Sequence, residues 1–289
     1  MAIPPGLLES IDALKPLPIT AQRLMEAMGD QKTSLADIAD IIEYDEAVVA
    51  NVVRVANSSL YMGFSQIVDV RGALARLGTS QTASIVLNRH MARLCVNAPA
   101  YELTENELWL HGAVASLAAT EIMIQSMRAN IPGIVCLAAL LHDIGKLIVV
   151  RYLKADVRAL VRHSMEKHVT FVQAEAEILG CTHPEIGAAM GRKWRFPEQI
   201  TQAIGQHHDV PIENPTSISD AVQLANLVAK NLGVGLGAER MNFRFDLGTG
   251  DRLAIDCRAL HRICGRTNQR MAVLKDAYYD VDREQSAAA

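Results

Sequence analysis

Helix signals recur along this sequence, and they constrain its fold more than any other feature. In segment 34–42, Ser34 stands before the first apolar residue and Asp37 follows three residues later, an arrangement that caps the start of a helix. The apolar residues of the segment then recur at helical spacing: Leu35, Ile38, Ile41 and Ile42. The segment is therefore predicted to be an amphipathic helix that buries one face.

The same signals extend this prediction to the whole chain. Thr170 and Gln173 form a second capping pair before a run that Gly180 can end, and Gly233 can end another. Half of the residues are hydrophobic but only 4% are aromatic, a composition that suits packed helices better than sheets. We predict an all-α fold of about a dozen helices joined by short loops.

Two segments near the C-terminus are expected to depart from this pattern. Segment 242–255, with the sequence NFRFDLGTGDRLAI, alternates briefly between apolar and polar residues and contains turn residues, which favours a small hairpin. The final residues, 283–289, are expected to be unstructured.

Charge and hydropathy argue against several classes of protein. The longest apolar run, 134–141, is far shorter than the roughly 20 residues that cross a bilayer, so no membrane span is predicted. Segment 1–18 has early prolines and no basic stretch before an apolar block, unlike a secretion signal. Five cysteines without a C-x-x-C pair fit reduced thiols. We therefore expect a cytoplasmic protein, and the net charge of −4 provides no general attraction to nucleic acid.

Candidate metal ligands accumulate in the second part of the chain. They comprise single histidines, an adjacent His-Asp pair and an adjacent histidine pair: His111, His142, Asp143, His183, His207 and His208. Imidazole and carboxylate groups together suit Fe, Mn, Zn or Ni. Neighbouring helices of a bundle can point such side chains into one pocket, however distant they are in sequence. The sequence thus contains a candidate site for a divalent metal.

The stretch LLHDIGKL (140–147) places two of these ligands side by side. Adjacent residues of a helix point about 100° apart, so His142 and Asp143 can bind one ion only near a helix end, where Gly145 would loosen the chain. A bound divalent ion would acidify a water molecule into a hydroxide nucleophile and neutralise phosphate charge. In an active enzyme, Asp143 would then belong to the catalytic centre and Lys146 would contact the phosphate.

The order of these residues resembles the HD-domain superfamily of metal-dependent phosphohydrolases. The run HPEIGAAM (183–190), followed by the pair HH at 207–208, is similar to its HD-GYP branch. Two departures stand against activity. The D-G-x-G-Y-P segment of that branch is replaced by DVPIENP (209–215), and the last metal ligand of the superfamily, an aspartate, corresponds here to Asn226.

The N-terminal part resembles the HDOD domain, an HD-related output domain of bacterial signalling proteins. The matching pieces are LKPLP (14–18), IIEYDEAVVANVVRVANSS (41–59) and ALARLG (73–78), and with the HD-like half the resemblance covers roughly residues 10–235. It implies three parts: a helical lobe at 1–100, a degenerate HD-like bundle at 101–235, and a C-terminal helical extension with a flexible tail at 236–289. It also implies a role in signal transduction in which catalysis is in doubt.

Two interpretations of the HD-like half stay open. In the first, the chain is a metal-dependent phosphohydrolase that acts on a nucleotide or a cyclic dinucleotide. In the second, the same side chains form a buried hydrogen-bonded network, and the chain transmits a signal through contact with other signalling proteins. Losing a ligand carboxylate at Asn226 weakens metal binding, which favours the second interpretation.

Direct DNA binding is a third class, and the charges argue against it. Segment 33–57 has the length of a helix-turn-helix, but its charged residues other than Arg54 are acidic: Asp37, Asp40, Glu43, Asp45 and Glu46. These would repel a phosphate backbone. Other signalling proteins are the expected partners, and a nucleotide or a phosphate group is a candidate ligand of the pocket.

Overall fold

The structure is a computed structural model that describes most of the chain. The described residues are 3–14, 16–30, 32–61, 63, 65–94, 105–127, 130–153, 158–209, 215–235, 246 and 248–287. The predicted division between two lobes, near residues 97–103, lies outside these ranges.

The described residues form sixteen helices and no strand, so the predicted all-α class is confirmed. The N-terminal part contains α1 (Pro5–Asp12), α2 (Ile19–Gly29), α3 (Leu35–Ile42), α4 (Glu46–Ala56), α5 (Val70–Leu77) and α6 (Thr79–Leu94). The middle of the chain contains α7 (Glu105–Gln125), α8 (Val135–Leu141), α9 (Lys146–Leu153), α10 (Arg158–Lys167), α11 (Phe171–Leu179), α12 (His183–Lys193), α13 (Glu198–Gln206) and α14 (Ser217–Asn231). Two more follow, α15 (Gly248–Leu253) and α16 (Cys257–Ala287).

Local sequence signals set the ends of several helices. The hydroxyl of Ser34 accepts the N–H of Asp37, and the Asp37 carboxylate accepts the N–H of Ser34 at 2.8 Å. Thr170 and Gln173 form the same reciprocal pair at the start of α11. That helix ends at Gly180, whose φ of 71° lies in the left-handed region. The predicted capping pairs and this helix stop are confirmed.

Two predictions for the C-terminal part are wrong. Residues 248–253 of the expected hairpin form α15, because the Asp246 carboxylate accepts the N–H of Gly248 at 2.9 Å and Arg252 donates to Asp220 of α14 at 2.6 and 2.8 Å. Residues 242–245 and 247 lie outside the described part. The tail that was expected to be unstructured is helical as far as Ala287. Its Arg, Glu, Gln and Ala residues favour helix and continue α16.

One continuous hydrophobic core joins the N-terminal helices to the rest of the chain. It extends from Leu7 on α1 to Met271 on α16. Helix α7 lies at its centre and packs against α8, α14 and α16. The middle of α7 is buried on every side, as expected of a helix with no solvent face. In the described residues, no helix combines the length and the hydropathy that crossing a membrane requires.

The buried acid Glu121 links α7 to Arg270 of α16, which also contacts the N-terminal helical part. Glu121 on α7 is 4% exposed, and its carboxylate accepts a hydrogen bond from Arg270 at 3.0 Å. The same guanidinium donates to the hydroxyl of Tyr61 at 2.9 Å, in the segment between α4 and α5. Helix α16 thereby holds the N-terminal helices and α7 in one arrangement.

The contact between α7 and α8 depends on a glycine. A Cβ atom at Gly112 would lie 2.5 Å from the carbonyl oxygen of Leu140, closer than side chains approach backbone. The two helices therefore pack with their backbones almost touching, and this brings the neighbouring residues His111 and His142 within reach of each other.

We predict that Gly112→Ala lowers the free energy of unfolding by about 1–3 kcal/mol, because the two helices must separate to admit one methyl group. Urea denaturation monitored by circular dichroism measures this change. Gly265→Ala on α16 is the matched control, since a Cβ there meets no atom within 4 Å. The control should raise stability by about 0.5–1 kcal/mol. Equal stability of the two variants would contradict the close helix packing.

Candidate metal centre

The adjacent ligand pairs lie at helix ends, as the sequence predicted. His142 is the C-terminal cap of α8, and Asp143 lies in the turn between α8 and α9. His207 caps the C-terminus of α13, and His208 follows it directly. Backbone that leaves the helix at these points allows two adjacent side chains to face the same cavity.

All the candidate ligands converge on one buried cluster. His111 comes from the middle of α7 and His183 is the first residue of α12. His208 is half-buried. The other five side chains are almost fully buried: His111, His142, Asp143, His183 and His207. The structure brings together six residues from four separate segments, and sequence spacing alone could not guarantee this.

The Asp143 carboxylate lies in the middle of the cluster. Its Oδ2 is 3.5 Å from Nε2 of His111 and 3.5 Å from Nε2 of His142. Its Oδ1 is 3.2 Å from Nε2 of His183 and 3.4 Å from Nε2 of His207. The carboxylate therefore divides the cluster into two groups that share it.

Each group has ligand atoms close enough together to hold a metal ion. The first consists of His111, His142 and Asp143; the second consists of Asp143, His183, His207 and His208. Within each group the ligand atoms lie within 4.8 Å of one another. The donor set of imidazole nitrogens and one carboxylate suits a transition metal better than Ca²⁺ or Mg²⁺.

Backbone carbonyls set the tautomers of three of the histidines. Nδ1 of His111 donates to Val234 O at 2.9 Å, Nδ1 of His142 donates to Ala139 O at 2.7 Å, and Nδ1 of His207 donates to Ile204 O at 2.7 Å. Because Nδ1 carries the proton in each neutral ring, the lone pair of Nε2 points into the centre. These contacts orient the imidazoles for metal binding and could not be read from the sequence.

The sequence analysis missed one acidic residue of the centre. Glu175 on α11 is fully buried, and its carboxylate accepts hydrogen bonds from Nδ1 and from the backbone N–H of His183, both at 2.8 Å. Burial opposes the charged imidazolium, but Glu175 and Asp143 outweigh it and raise the pKa of His183 to about 9. Glu175 follows Ala174 on the apolar face of α11, and this placement is the signal that could have revealed it.

The remaining histidines and Asp143 favour the protonation states that a metal requires. Burial lowers the pKa values of His111, His142 and His207, so these rings are neutral. Burial would raise the pKa of Asp143, but Lys146 and then His142 hold it well below its usual range. The centre therefore contains three neutral imidazoles around an ionised carboxylate, while His183, held by Glu175 and Asp143, carries a proton on both ring nitrogens.

Positive charge already faces that carboxylate. Nζ of Lys146 lies 2.6 Å from Oδ2 of Asp143, and Lys146 is 1% exposed. Lys230 on α14 is 2% exposed and acts electrostatically on His111. The phosphate contact predicted for Lys146 stays a prediction; in the structure its ammonium group is bound to Asp143.

Asn226 stands beside the first group of ligands, on α14. Its Oδ1 lies 3.1 Å from Nε2 of His111, and the residue is 6% exposed. The amide is therefore close enough to contact an ion in the first group, but it brings no formal charge. Helix α14 ends just before Gly233, as predicted, and Val234 follows with its carbonyl oxygen 2.9 Å from Nδ1 of His111.

Gly145 has a different role from the one the sequence suggested. A Cβ at this position would lie 1.9 Å from the carbonyl oxygen of His183 and 2.7 Å from the backbone nitrogen of Gly187. The glycine therefore lets the start of α12 pack directly on the turn that carries Asp143. It fixes the distance between the two ligand groups instead of loosening the chain.

The cavity that reaches Asp143 is small and mostly apolar. Its volume is about 30 Å³, and it is lined by Asn88, Leu108, Trp109, Gly112, Leu140, Leu141, Asp143, Ile144 and Leu147. On this measure about 10–15 Å³ holds one water molecule, so the cavity has room for about two. Access to the carboxylate on this side is therefore limited to very small molecules.

Comparisons with known proteins agree with this architecture. The chain is 22% identical over 230 residues to an uncharacterised protein of Treponema pallidum (strain Nichols), a match that covers 78% of this chain and 44% of that protein. It thus spans less than half the length of this curated relative.

Two solved structures share the fold. An HDOD domain protein of unknown function from Geobacter sulfurreducens has a TM-score of 0.65 and 22% identity, over 97% of this chain and 94% of the other. A protein from Marinobacter aquaeolei VT8, named for a role in signal transduction, has a TM-score of 0.72 and 21% identity, over 94% of this chain and 64% of the other. The model of the HDOD domain family matches residues 14–210, and the chain therefore belongs to the HDOD domain family.

Proposed function

We propose that this chain is a signal-transduction output module that acts through contact with other signalling proteins and does not hydrolyse phosphoesters. The observation that carries the proposal is the shared carboxylate. Both groups of candidate ligands depend on Asp143 for negative charge, and Lys146 already neutralises that charge at 2.6 Å. The boundaries of a helical lobe at 1–100, an HD-like bundle at 101–235 and an extension at 236–289 belong to the same proposal.

Charge disfavours a pair of metal ions in this centre. Two divalent cations bring four positive charges into a site whose candidate ligands include one ionised carboxylate, that of Asp143. Asn226 adds none, and the buried ammonium groups of Lys146 and Lys230 add positive charge nearby. Buried charge that is not compensated costs several kcal/mol per ion, so the loaded two-metal state would be disfavoured.

The cavity described on one side of Asp143 is too small to admit a nucleotide. Ligand pockets for molecules of this size usually measure about 300–1,000 Å³. The cavity next to Asp143 measures about 30 Å³ and has largely aliphatic walls. A phosphoester that entered through this cavity would have to displace packed side chains before it reached the carboxylate.

A single ion is compatible with the residues present. His111, His142 and Asp143 would hold it, with Oδ1 of Asn226 as a fourth contact, and Fe, Mn, Zn or Ni would suit these ligands. Such an ion would polarise a bound oxygen if a phosphate group reached it. In a module that does not turn over a substrate, its role would be to fix α7, α8 and α14 relative to one another.

The rival proposal is a metal-dependent phosphohydrolase acting on a nucleotide or a cyclic dinucleotide. Its support is the orientation of the histidines: the hydrogen bonds from Nδ1 of His111, His142 and His207 to backbone carbonyls point the Nε2 lone pairs inward, as a metal enzyme requires.

Direct DNA binding has less support. The acids of segment 33–57 lie largely on the exposed faces of α3 and α4, where they would repel a phosphate backbone.

Turnover separates the two proposals. Protein purified without chelator and supplied with Mn²⁺ or Fe²⁺ should show no phosphodiesterase activity above the level of His142→Ala on either a model phosphodiester or cyclic dinucleotides. Activity that His142→Ala abolishes would establish the rival proposal.

Restoring the missing acid should restore metal affinity. We expect Asn226→Asp to bind Mn²⁺ or Zn²⁺ about 10–100-fold more tightly than the wild type, because it returns a carboxylate to the first group of ligands. Isothermal titration calorimetry measures the affinity.

Asn231→Asp is the matched control, since it adds the same charge at an exposed position near the end of α14. The control should leave the metal affinity unchanged. If Asn226→Asp binds metal no better than this control, the missing acid is not what limits the centre.

Lys146 should stabilise the metal-free protein at the expense of metal binding. Lys146→Met leaves Asp143 without its closest cation, so we expect the free energy of unfolding of chelator-treated protein to fall by about 3–5 kcal/mol. Added Zn²⁺ should recover part of this loss, because the metal binds the folded state alone. Denaturant titration with and without Zn²⁺ measures both effects.

Lys32→Met, at an exposed site, is the control for the loss of a lysine. It should change stability by less than about 0.5 kcal/mol, and Zn²⁺ should not distinguish it from the wild type. A Lys146→Met protein as stable as this control would show that the Lys146–Asp143 pair does not hold the centre together.

A further inference from the structure

A second, much larger concavity lies away from the metal centre, between the N-terminal helices and the HD-like bundle. It measures about 930 Å³, thirty-fold more than the cavity at Asp143. Four segments line it: the end of α2 with the loop that follows, the start of α6, the loop before α8, and the turn between α12 and α13. We call this the interlobe groove.

The charged side chains of the groove are mainly acidic. Glu26, Asp30 and Glu198 line it together with one basic residue, Arg195, and all four are exposed. Within the described part of the chain, none of the three carboxylates takes part in an ion pair. The carboxylate of Asp30 accepts a hydrogen bond from the backbone N–H of Lys32 at 2.9 Å. The groove therefore presents acids that a cationic partner can pair with.

The rest of the lining suits an extended chain of amino acids. Met28, Pro132 and Pro197 provide apolar surface, and methionine adapts its shape to different contacts. Between them lie short polar side chains that can bond to a peptide backbone: Thr33, Thr79, Ser80, Asn130 and Gln199. Apolar walls with a few polar groups are typical of ligand-binding clefts of this volume.

The groove also touches the helices that carry the metal ligands. Ile134 precedes α8, and Glu198 begins α13. The two helices pack against each other, and their far ends bear the His142–Asp143 and His207–His208 pairs. At 1.5 Å per residue, helices of seven and nine residues place the groove about 10–14 Å from the centre.

We propose that the interlobe groove is the docking site for an extended, lysine- or arginine-containing peptide segment of a partner protein. This rests on the proposed function, because it supplies the contact surface through which the module would act. Side chains of the segment pair with Glu26, Asp30 and Glu198, while its apolar residues pack on Met28 and Pro132. A bound segment contacts the N-terminal helices, α8 and α13 at once, so its affinity depends on their relative positions.

A random nonapeptide display library, selected against the full chain, is the first test. We expect the recovered peptides to be enriched in Lys and Arg, and their binding to weaken as salt is raised. Hydrogen exchange with one synthetic peptide bound should slow in segments 26–33 and 195–200. Recovery of neutral or acidic peptides, or of none, would overturn the proposal, as would protection confined to other segments.

Charge-reversed variants locate the site. Glu26→Lys/Glu198→Lys should bind the selected peptide at least about tenfold more weakly, because like charges now face each other in the groove. Glu9→Lys/Glu166→Lys is the matched control: both residues are exposed, lie outside the groove and give the same change in net charge. The control should bind within about twofold of the wild type, in line with screening of distant charges. Equal binding by both double variants would overturn the assignment.

Failure of this inference differs from failure of the proposed function. If the chain has no phosphodiesterase activity and the selected peptides protect another surface, the proposed signalling function stands and the groove is not the docking site. Turnover that His142→Ala abolishes would contradict the proposed signalling function whatever the peptides bind.

Discussion

The carboxylate of Asp143 is the point on which the rest of the site depends. It is buried between a lysine at 2.6 Å and histidines on both of its oxygens. An ionised acid in this position must be compensated, and the protein does so with its own ammonium group. The same acid is the shared ligand of any ion that enters. The ammonium group of Lys146 and a metal ion therefore compete for the same carboxylate. Glu175 is bonded to His183, and the amide of Asn226 adds no second ligand carboxylate to relieve that competition.

Close packing of the helices holds the residues of this site in position. The start of α12 packs on the Asp143 turn at Gly145, and α7 packs on α8 at Gly112, so close backbone contacts set the positions of the segments that carry the ligands. Carbonyl oxygens hold three of the rings by Nδ1 and Glu175 holds the fourth. A core that is continuous from α1 to α16 then connects the centre to the N-terminal helices. Backbone packing and these hydrogen bonds thus hold the candidate ligands together.

Sequence patterns predicted much of this and missed specific parts for physical reasons. Helical periodicity and caps identified the fold class, and the order of the histidines identified the residues that converge. The hairpin expected at 242–255 was wrong because α15 is held by Arg252 and Asp220, a contact between distant residues that local alternation does not encode. Glu175 was missed because its partner His183 is on another helix. The roles of Gly112 and Gly145 depend on backbone approach, which a sequence does not display.

The number of ions that the centre accepts tests this account most directly. A crystal of the wild-type protein soaked in Mn²⁺, with anomalous scattering collected at the metal edge, would count them and show their ligands. The account predicts at most one ordered ion, bound by His111, His142 and Asp143 after Lys146 has withdrawn from the carboxylate. Two fully occupied ions bridged by Asp143, with the amide of Asn226 or another acid completing the shells, would contradict it.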